Sequence, residues 1–335
     1  MNTLSVCIIA KNEEKNLIRC LESIKGIADE IILVDTGSKD NTIPMAEKYN
    51  AKIIKFPWQN NFSSARNKAL DIASKDWILY IDSDESLDNS QIYEIKKSLN
   101  IINSIGIKLK LVNVIDNKPS VGKSTLRIIK NNYGFYFSGN INERLMNLNY
   151  ENSYETEILN TNYILYNYGF DYNKKSLTER CNRNLDIYLS FPEKDKDYLY
   201  YYNMANEYYL LRKYNLAATN YLKALNLNDN ILINSYITLL IVKSYYNLKK
   251  YSKAILIGEN FSMKYNLIRE VYLILSECYY KLEEFTLSKE SFKTYLSYPT
   301  SEYSYYFSLI HDKKNNLIPE FFGFSLLSLK ENIKN

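Results

Sequence analysis

Three carboxylates stand within four residues at the end of an apolar run in this 335-residue chain. The run from Trp77 to Ile81 predicts a buried strand, and Asp82, Asp84 and Glu85 follow it directly. Neighbouring carboxylates repel one another and are costly to desolvate, so a divalent cation or a polar ligand has to compensate them. We therefore predict a metal and diphosphate site. The alternative is a solvated turn in which Asp84 or Ser86 caps the next helix.

The first ~85 residues must position this site, and they alternate apolar strands with polar turns and amphipathic helices. Such alternation predicts a parallel sheet flanked by helices. Helices are predicted at about residues 13–25, 40–49 and 62–74, with Asn12, Ser38 or Asp40, and Asn61 or Ser63 as their N-caps. The predicted strands are Leu4–Ala10, Glu30–Val34, Lys52–Phe56 and Trp77–Ile81.

Polar residues follow each of these strands at its carboxyl end. In open sheets the carboxyl ends of parallel strands share one crevice, which holds the ligand. At the amino ends of the strands the sequence has Lys52, Lys75 and Asp76. This asymmetry favours a nucleotide-type site, to which the strands contribute the segments 11–14, 35–38, 57–58 and 82–85.

Four ordered motifs in this part of the chain resemble the family 2 glycosyltransferases. The resemblance is strongest to the bacterial branch in which tetratricopeptide-type repeats follow the sugar-transfer domain. The motifs lie at residues 5–14, 29–42, 62–70 and 76–85, and the third contains Ala65-Arg66-Asn67.

The resemblance implies a glycosyltransferase A fold, with a Rossmann-like mixed sheet, and an inverting enzyme that uses a UDP-sugar. It implies that Asp35 contacts the nucleobase and that Arg66 approaches the nucleotide. Asp82 would lie near the ribose and the metal, and Asp84 would be the main ligand of Mn or Mg. Helix N-termini at Asn12 or Ser38 would favour phosphate. The remaining nucleotide-binding residues implied in this way are Lys11, Asn12, Glu13 and Ser83.

Residues 105–170 carry the second half of such a domain, with strands predicted at Ile105–Val114 and Thr125–Ile129. Glu143 is the candidate general base, because an inverting displacement needs one carboxylate to accept the acceptor's proton. Its alternative is a surface residue that pairs with Arg144 or Lys130. By resemblance Arg127 lies near the phosphates, and its alternative is a charge at a strand edge.

Two histidines of the family pattern correspond to Asn142 and Asn167 in this chain. The only histidine, His311, is far away near the carboxyl terminus. An asparagine carbonyl can ligate a hard cation but is a poorer partner for softer ones, so the metal preference shifts toward Mg. A catalytically degenerate binding or scaffold protein is the alternative that this departure raises.

From about Asp171 the apolar spacing becomes helical and glycines nearly vanish, which predicts an all-α helical-repeat domain. Tyr214, Tyr251 and Phe285 align as one position of three tetratricopeptide-like units of ~34 residues. We predict a catalytic domain at residues 1–170 and a repeat domain at 171–335. Such repeats often bind peptides. The alternatives are that they only stabilise the transferase or form a homodimer contact.

The composition limits the remaining possibilities. The chain has 42 basic and 38 acidic residues, and its net charge of +4 is too mild to indicate a nucleic-acid partner. The sequence shows no membrane-spanning run and no signal pattern, so we expect a soluble, cytoplasmic protein. The scattered cysteines, Cys7, Cys20, Cys181 and Cys278, predict reduced packing residues rather than disulfides.

The sequence therefore predicts an inverting glycosyltransferase that moves a hexose of the glucose or N-acetylglucosamine type. The donor would be a UDP-sugar with a Mn or Mg cofactor, and the acceptor a peptide or protein. A transferase of cell-surface polysaccharide assembly is the other alternative, with a glycan as its acceptor.

Overall fold

The computed structural model describes residues 2–101, 103–115, 118–120, 122–149, 157–169, 174–262 and 269–298. The chain divides into two compact units, Met1–Lys174 and Lys175–Asn335. His311 lies outside the described residues. The functional assignment of the two predicted domains stays a prediction.

The first unit is built on a mixed sheet. Its strands are β1 Leu4–Ala10, β2 Glu30–Asp35, β3 Lys52–Lys55, β4 Trp77–Asp82, β5 Glu85–Leu87, β6 Gly106–Ile115, β7 Lys118–Pro119, β8 Lys123–Lys130 and β11 Ile158–Asn167. A separate two-stranded sheet pairs β9 Phe135–Ser138 with β10 Arg144–Asn147.

The strand order in the large sheet is β3-β2-β1-β4-β8-β6-β11-β5, with β7 beside β6. The first four strands in this order are parallel, whereas β8 runs antiparallel to both of its neighbours. The predicted Rossmann-like mixed sheet is therefore confirmed. The first four strands of the chain are confirmed to within one residue at each end.

Four helices accompany this sheet: α1 Leu17–Ile24, α2 Thr42–Glu47, α3 Phe62–Ile72 and α4 Ile92–Ser98. Apolar side chains alternate between its two faces, since successive residues of a strand point to opposite sides. Ile8 and Leu33 belong to the core cluster that contains Leu17 and Leu21 of α1. Cys7, Ile32 and Tyr80 belong to the other cluster, which contains Ala65 and Ala69 of α3.

Two helix starts differ from the sequence prediction. Asn12 does not cap a helix, because it takes a left-handed φ of 57° and α1 begins only at Leu17. Ser38 likewise precedes α2 by a loop, and α2 begins at Thr42. The alternative cap of this helix, Asp40, accepts from the Thr42 N–H at 3.0 Å. The helix N-termini that were expected to favour phosphate are therefore not at Asn12 or Ser38. The predicted cap at Asn61 is confirmed, since its side chain accepts from the Ser64 N–H.

The second unit is all helical in its described residues. A helix α5 at Lys174–Leu189 comes first. Three helix pairs follow: α6 Tyr198–Leu210 with α7 Tyr214–Leu227, α8 Ile231–Asn247 with α9 Tyr251–Ser262, and α10 Arg269–Lys281 with α11 Phe285–Ser297. The three residues aligned in the sequence each begin the second helix of a pair. The predicted helical unit is thus confirmed, and its tetratricopeptide character stays a prediction.

The same corner joins the two helices of each pair. Its turn contains one residue with a left-handed φ, namely Arg212 at 58°, Lys249 at 57° and Glu283 at 65°. The next N–H donates to a tyrosine carbonyl five residues earlier, at 2.9 Å in all three corners. This bond satisfies a carbonyl at the end of the first helix. Backbone geometry therefore repeats although no corner has glycine.

Candidate active site

The third carboxylate of the acidic turn, Glu85, stabilises the turn that links β4 to β5. Glu85 is fully buried and begins β5, which pairs antiparallel with the end of β11. Its Oε2 accepts from the Asp82 N–H at 2.9 Å, and its Oε1 accepts from Arg127 Nη2 at 2.7 Å. Glu85 therefore fixes the backbone of the turn and leaves Asp82 and Asp84 to face outward.

Arg127, which was expected near the phosphates, pairs with the third carboxylate of the acidic turn. The residue is only 7 % exposed, and its guanidinium lies in the buried ion pair with Glu85. Burial and the Asp82 carboxylate raise the pKa of Glu85, and Arg127 opposes that rise. The charge of Arg127 thus lies beside the acidic turn, and its predicted position near the phosphates stays a prediction.

Arg66 of α3 bridges two carboxylates that are far apart in the sequence. Its Nη2 lies 2.7 Å from Asp82 Oδ1, and its Nε lies 2.6 Å from Glu143 Oε1. Burial opposes the charge of Arg66, yet the two carboxylates raise its pKa above the ordinary value. Burial also opposes ionisation of Asp82, but Arg66 and Arg127 lower its pKa. The guanidinium thus connects the candidate metal ligand with the candidate base.

The start of α3 brings Glu143 to this position. Ser63 Oγ donates to the Gly139 carbonyl at 2.5 Å, and the Phe62 N–H donates to the Asn140 carbonyl at 2.8 Å. These bonds attach the turn after β9 to the first turn of α3. Glu143 therefore pairs with Arg66, instead of the Arg144 or Lys130 considered from the sequence. No sequence signal pointed to that pair.

The surroundings of Asp84 also disfavour its charged form. Burial, Asp82 and Glu13, in that order, raise the pKa of Asp84 to about 7. The end of the β11 segment covers it closely, since a Cβ atom at Gly169 would lie 1.9 Å from Asp84 Oδ2. The Tyr168 N–H also donates to the Asp84 carbonyl at 2.9 Å. Glycine at 169 is therefore required by the position of Asp84.

Asn167 supports the same turn from β11. Its Nδ2 approaches Glu85 Oε1 at 3.5 Å, and its Oδ1 accepts from the Gly169 N–H at 2.8 Å. Both ends of the amide thus have protein partners. The position that the family pattern gives to a histidine is occupied here by a side chain that contacts the acidic turn.

The loops after β1 and β2 form a second polar cluster. Asp35 accepts from the N–H groups of Gly37 at 3.1 Å and Ser38 at 3.2 Å. Ser38 Oγ accepts from the Asn12 N–H at 2.9 Å. The Glu13 N–H donates to Thr42 Oγ1 at 2.8 Å. Glu13 and Asn12 are therefore tied to the Asp35 loop, while Lys11 is exposed.

The two clusters share one edge of the sheet but not one face. Asp35 pairs in register with Ala10, and Asp82 pairs with Ile9. Neighbouring residues of β1 point to opposite faces, so the two carboxylates leave the sheet on opposite sides. Their strands flank β1 and are about 10 Å apart. The structure brings Asp82 and Asp84 together and gives Asp35 partners of its own. The predicted nucleotide and metal roles stay predictions.

The residues of the acidic turn fit a hard divalent cation by their donor chemistry. Asp82 and Asp84 supply carboxylate oxygens, and the raised pKa of Asp84 indicates acidic charge that its surroundings leave uncompensated. Within the described part of the chain, no three Asp, Glu, His or Cys side chains form a ligand group. A bound Mg or Mn ion would therefore take its other ligands from a diphosphate and water.

Residues 5–154 match the family described as Glycosyl transferase family 2. The match covers a little under half of the chain and identifies these residues as a family 2 glycosyltransferase domain.

Among curated proteins, the chain is 45% identical to a TPR repeat-containing protein of Synechococcus elongatus over 87 residues, which are 26% of this chain and 22% of that protein. It is 27% identical to the SPbeta prophage-derived glycosyltransferase SunS of Bacillus subtilis over 227 residues, 66% of this chain and 52% of that protein. The chain thus spans about a fifth and about half of the length of these relatives.

Among solved structures, residues 1–349 of S. aureus TarS in complex with UDP-GlcNAc are similar, with 14% identity and a TM-score of 0.41. The match covers 88% of this chain and 91% of that chain. No helix in the described ranges is long and apolar enough to cross a membrane.

Proposed function

We propose that the first unit transfers a hexose from a UDP-sugar to an acceptor with inversion at the anomeric carbon. The observation that carries this proposal is the bridge from Asp82 through Arg66 to Glu143, with contacts of 2.7 and 2.6 Å. In this bridge the proposed donor-side acid and the proposed base accept from adjacent nitrogens of one guanidinium, Nη2 and Nε. The family 2 match over residues 5–154 supports the reaction class.

The donor half of the proposal rests on the acidic turn. A divalent cation held by Asp84 and Asp82 would neutralise the leaving nucleoside diphosphate without a proton donor. Glu85 and Arg127 hold the turn in place, and Gly169 leaves room for Asp84. Asp35, Lys11, Asn12 and Glu13 remain the proposed nucleoside contacts. A UDP-sugar is proposed from the family resemblance, with Mn or Mg as the cation.

The acceptor half rests on Glu143. In a single displacement, an acceptor O, S or N atom forms a bond to the anomeric carbon as the bond to the diphosphate oxygen breaks. The bonding electrons go to that oxygen, and the acceptor's proton goes to the base. Arg66 fixes the direction of the Glu143 carboxylate. We favour a peptide or protein acceptor, because stacked helix pairs offer extended binding surfaces.

A titration of UDP with and without Mn or Mg, followed by hydrolysis assays with a panel of UDP-sugars, tests the donor half. We expect cation-dependent binding and slow hydrolysis of one sugar. Mass spectrometry of candidate peptides and glycans then tests the acceptor. UDP binding without turnover under any condition would favour the degenerate scaffold, and transfer to glycans alone would favour the polysaccharide transferase.

A further inference from the structure

The positive charge of this chain is concentrated in the first two helix pairs. The whole protein has a net charge of only +4. Between Glu207 and Glu259, however, there are seven basic residues and a single acidic one, Asp229, an excess of six positive charges. The basic residues are Arg212, Lys213, Lys223, Lys243, Lys249, Lys250 and Lys253.

Four of these residues form one surface, the basic corner: Arg212, Lys213, Lys249 and Lys250. They occupy the turns of the first and second helix pairs, and all four are exposed. The two turns are neighbours, because Lys250 Nζ lies 3.5 Å from Asn215 Oδ1, next to the first turn. Within the described residues, none of the four forms an ion pair with an acidic side chain.

The fold itself does not require cations at these turns. The third helix pair makes the same corner with Glu283 and Glu284 in the corresponding positions. Basic residues before the start of a helix are electrostatically unfavourable. The helix α7 nevertheless begins after Lys213 and has no side-chain cap. The same turns follow the C-termini of α6 and α8, where cations are favourable, so the helix dipoles do not decide the sign of the charge there. The four neighbouring cations repel one another, and a bound anionic partner would offset that repulsion.

We propose that the basic corner binds an acidic segment of a polypeptide. The change of sign at the third turn favours a peptide over a uniform polyanion, because a peptide can present a basic or neutral residue to Glu283 and Glu284. Packed helices lie about 8–10 Å apart. An extended chain advances about 3.3 Å per residue. Acidic residues three positions apart would therefore meet consecutive turns.

Binding of a labelled synthetic peptide to the full chain tests this inference. The probe has Glu at every third position among Ser and Gly, and the comparison peptide has Gln in place of each Glu. We expect the Glu peptide to bind in low salt, with fluorescence anisotropy as the readout. The double variant K249E/K250E should weaken its binding about tenfold, because two attractive surface charges become repulsive. R212E/K213E should have a similar effect.

The matched control reverses two exposed lysines of the same unit, K289E/K293E on α11. It should leave peptide affinity unchanged, and circular dichroism should show native helix content in all three variants. Unchanged affinity in both corner variants would overturn the proposal. Equally tight binding of anionic phosphatidylglycerol vesicles, or an equal loss in the control, would overturn its assignment to a peptide. A negative result for the basic corner can be distinguished from a negative result for sugar transfer, because the UDP titration tests the donor site independently of peptide binding.

Discussion

The acidic turn after β4 and the Asp35 loop after β2 lie at the same edge of the sheet but are stabilised in different ways. The acidic turn depends on charged side chains from distant segments, with Arg127 and Arg66 opposite Glu85 and Asp82. The Asp35 loop depends on uncharged hydrogen-bonding partners: Asp35 accepts from the next backbone N–H groups, and Ser38 Oγ accepts from the Asn12 N–H. Buried charges are costly unless paired, whereas a local turn needs one acceptor and a glycine.

Because the two turns are stabilised in different ways, they should respond differently to substitution. In the acidic turn, substitution of Asp84 should affect mainly activity, whereas substitution of the buried Glu85 should affect mainly stability. Substitutions in the Asp35 loop should affect activity and stability only modestly.

The largest expected effect is on turnover, from Asp84→Asn. We expect about a thousandfold loss of kcat/KM, because a metal contributes several kcal/mol to charge stabilisation in the transition state. Stability should not fall, since the substitution removes a buried carboxylate whose pKa is raised to about 7. Steady-state kinetics and urea unfolding measure the two effects. The control is Asp71→Asn, at an exposed acid of α3. Near-normal turnover in D84N would remove the cation assignment.

The next effect is on stability, from Glu85→Ala. Removal of one partner leaves Arg127 buried without its carboxylate, so we expect a loss of about 3–5 kcal/mol in the free energy of unfolding. The double variant Glu85→Leu with Arg127→Met should recover much of that loss, because both buried charges are gone. Equal losses in the single and double variants would contradict the buried-pair interpretation.

Substitutions of Gly169 and Gly37, one glycine near each of these turns, should be unfavourable for different reasons. Gly169→Ala would place a Cβ 1.9 Å from Asp84 Oδ2, so Asp84 must move. We expect a stability loss of about 1–3 kcal/mol together with weaker UDP binding. Gly37→Ala has no atom within 4 Å but a φ of 108°. Its cost is backbone strain of about 1–2 kcal/mol. Equal effects of the two variants on cation-dependent UDP binding would argue against a specific role for Gly169.

The smallest effect is expected at Asp35. Asp35→Asn keeps one side-chain oxygen to accept from the Gly37 or Ser38 N–H, and it should leave stability within about 0.5 kcal/mol. Asp35→Ala should lose about 1 kcal/mol, because those N–H groups lose their acceptor. Calorimetry of UDP binding distinguishes a role of Asp35 in maintaining the loop from a role in contacting the nucleobase. If Asp35→Asn retains full affinity, Asp35 maintains the loop and does not contact the base through its charge.

Much of the architecture was predictable, because strands and helices are specified by short-range periodicity. The alternation from Leu4 to Asp82 predicted the first four strands, and the cap at Asn61 predicted the start of α3. The alignment of Tyr214, Tyr251 and Phe285 predicted where each second helix begins. The helix starts at Asn12 and Ser38 were wrong, because local turns formed from Asn12 and Asp35 compete with helix at those residues.

Which polar residues reach the carboxyl edge of the sheet follows from short-range signals, since strand period and turn chemistry act over a few residues. The partners of these residues follow from long-range packing. Arg66 meets Glu143 across 77 residues, and Arg127 meets Glu85 across 42. Strand order and register select these pairs, and register also sends Asp35 and Asp82 to opposite faces. No local pattern encodes a contact that exists only after distant strands have paired.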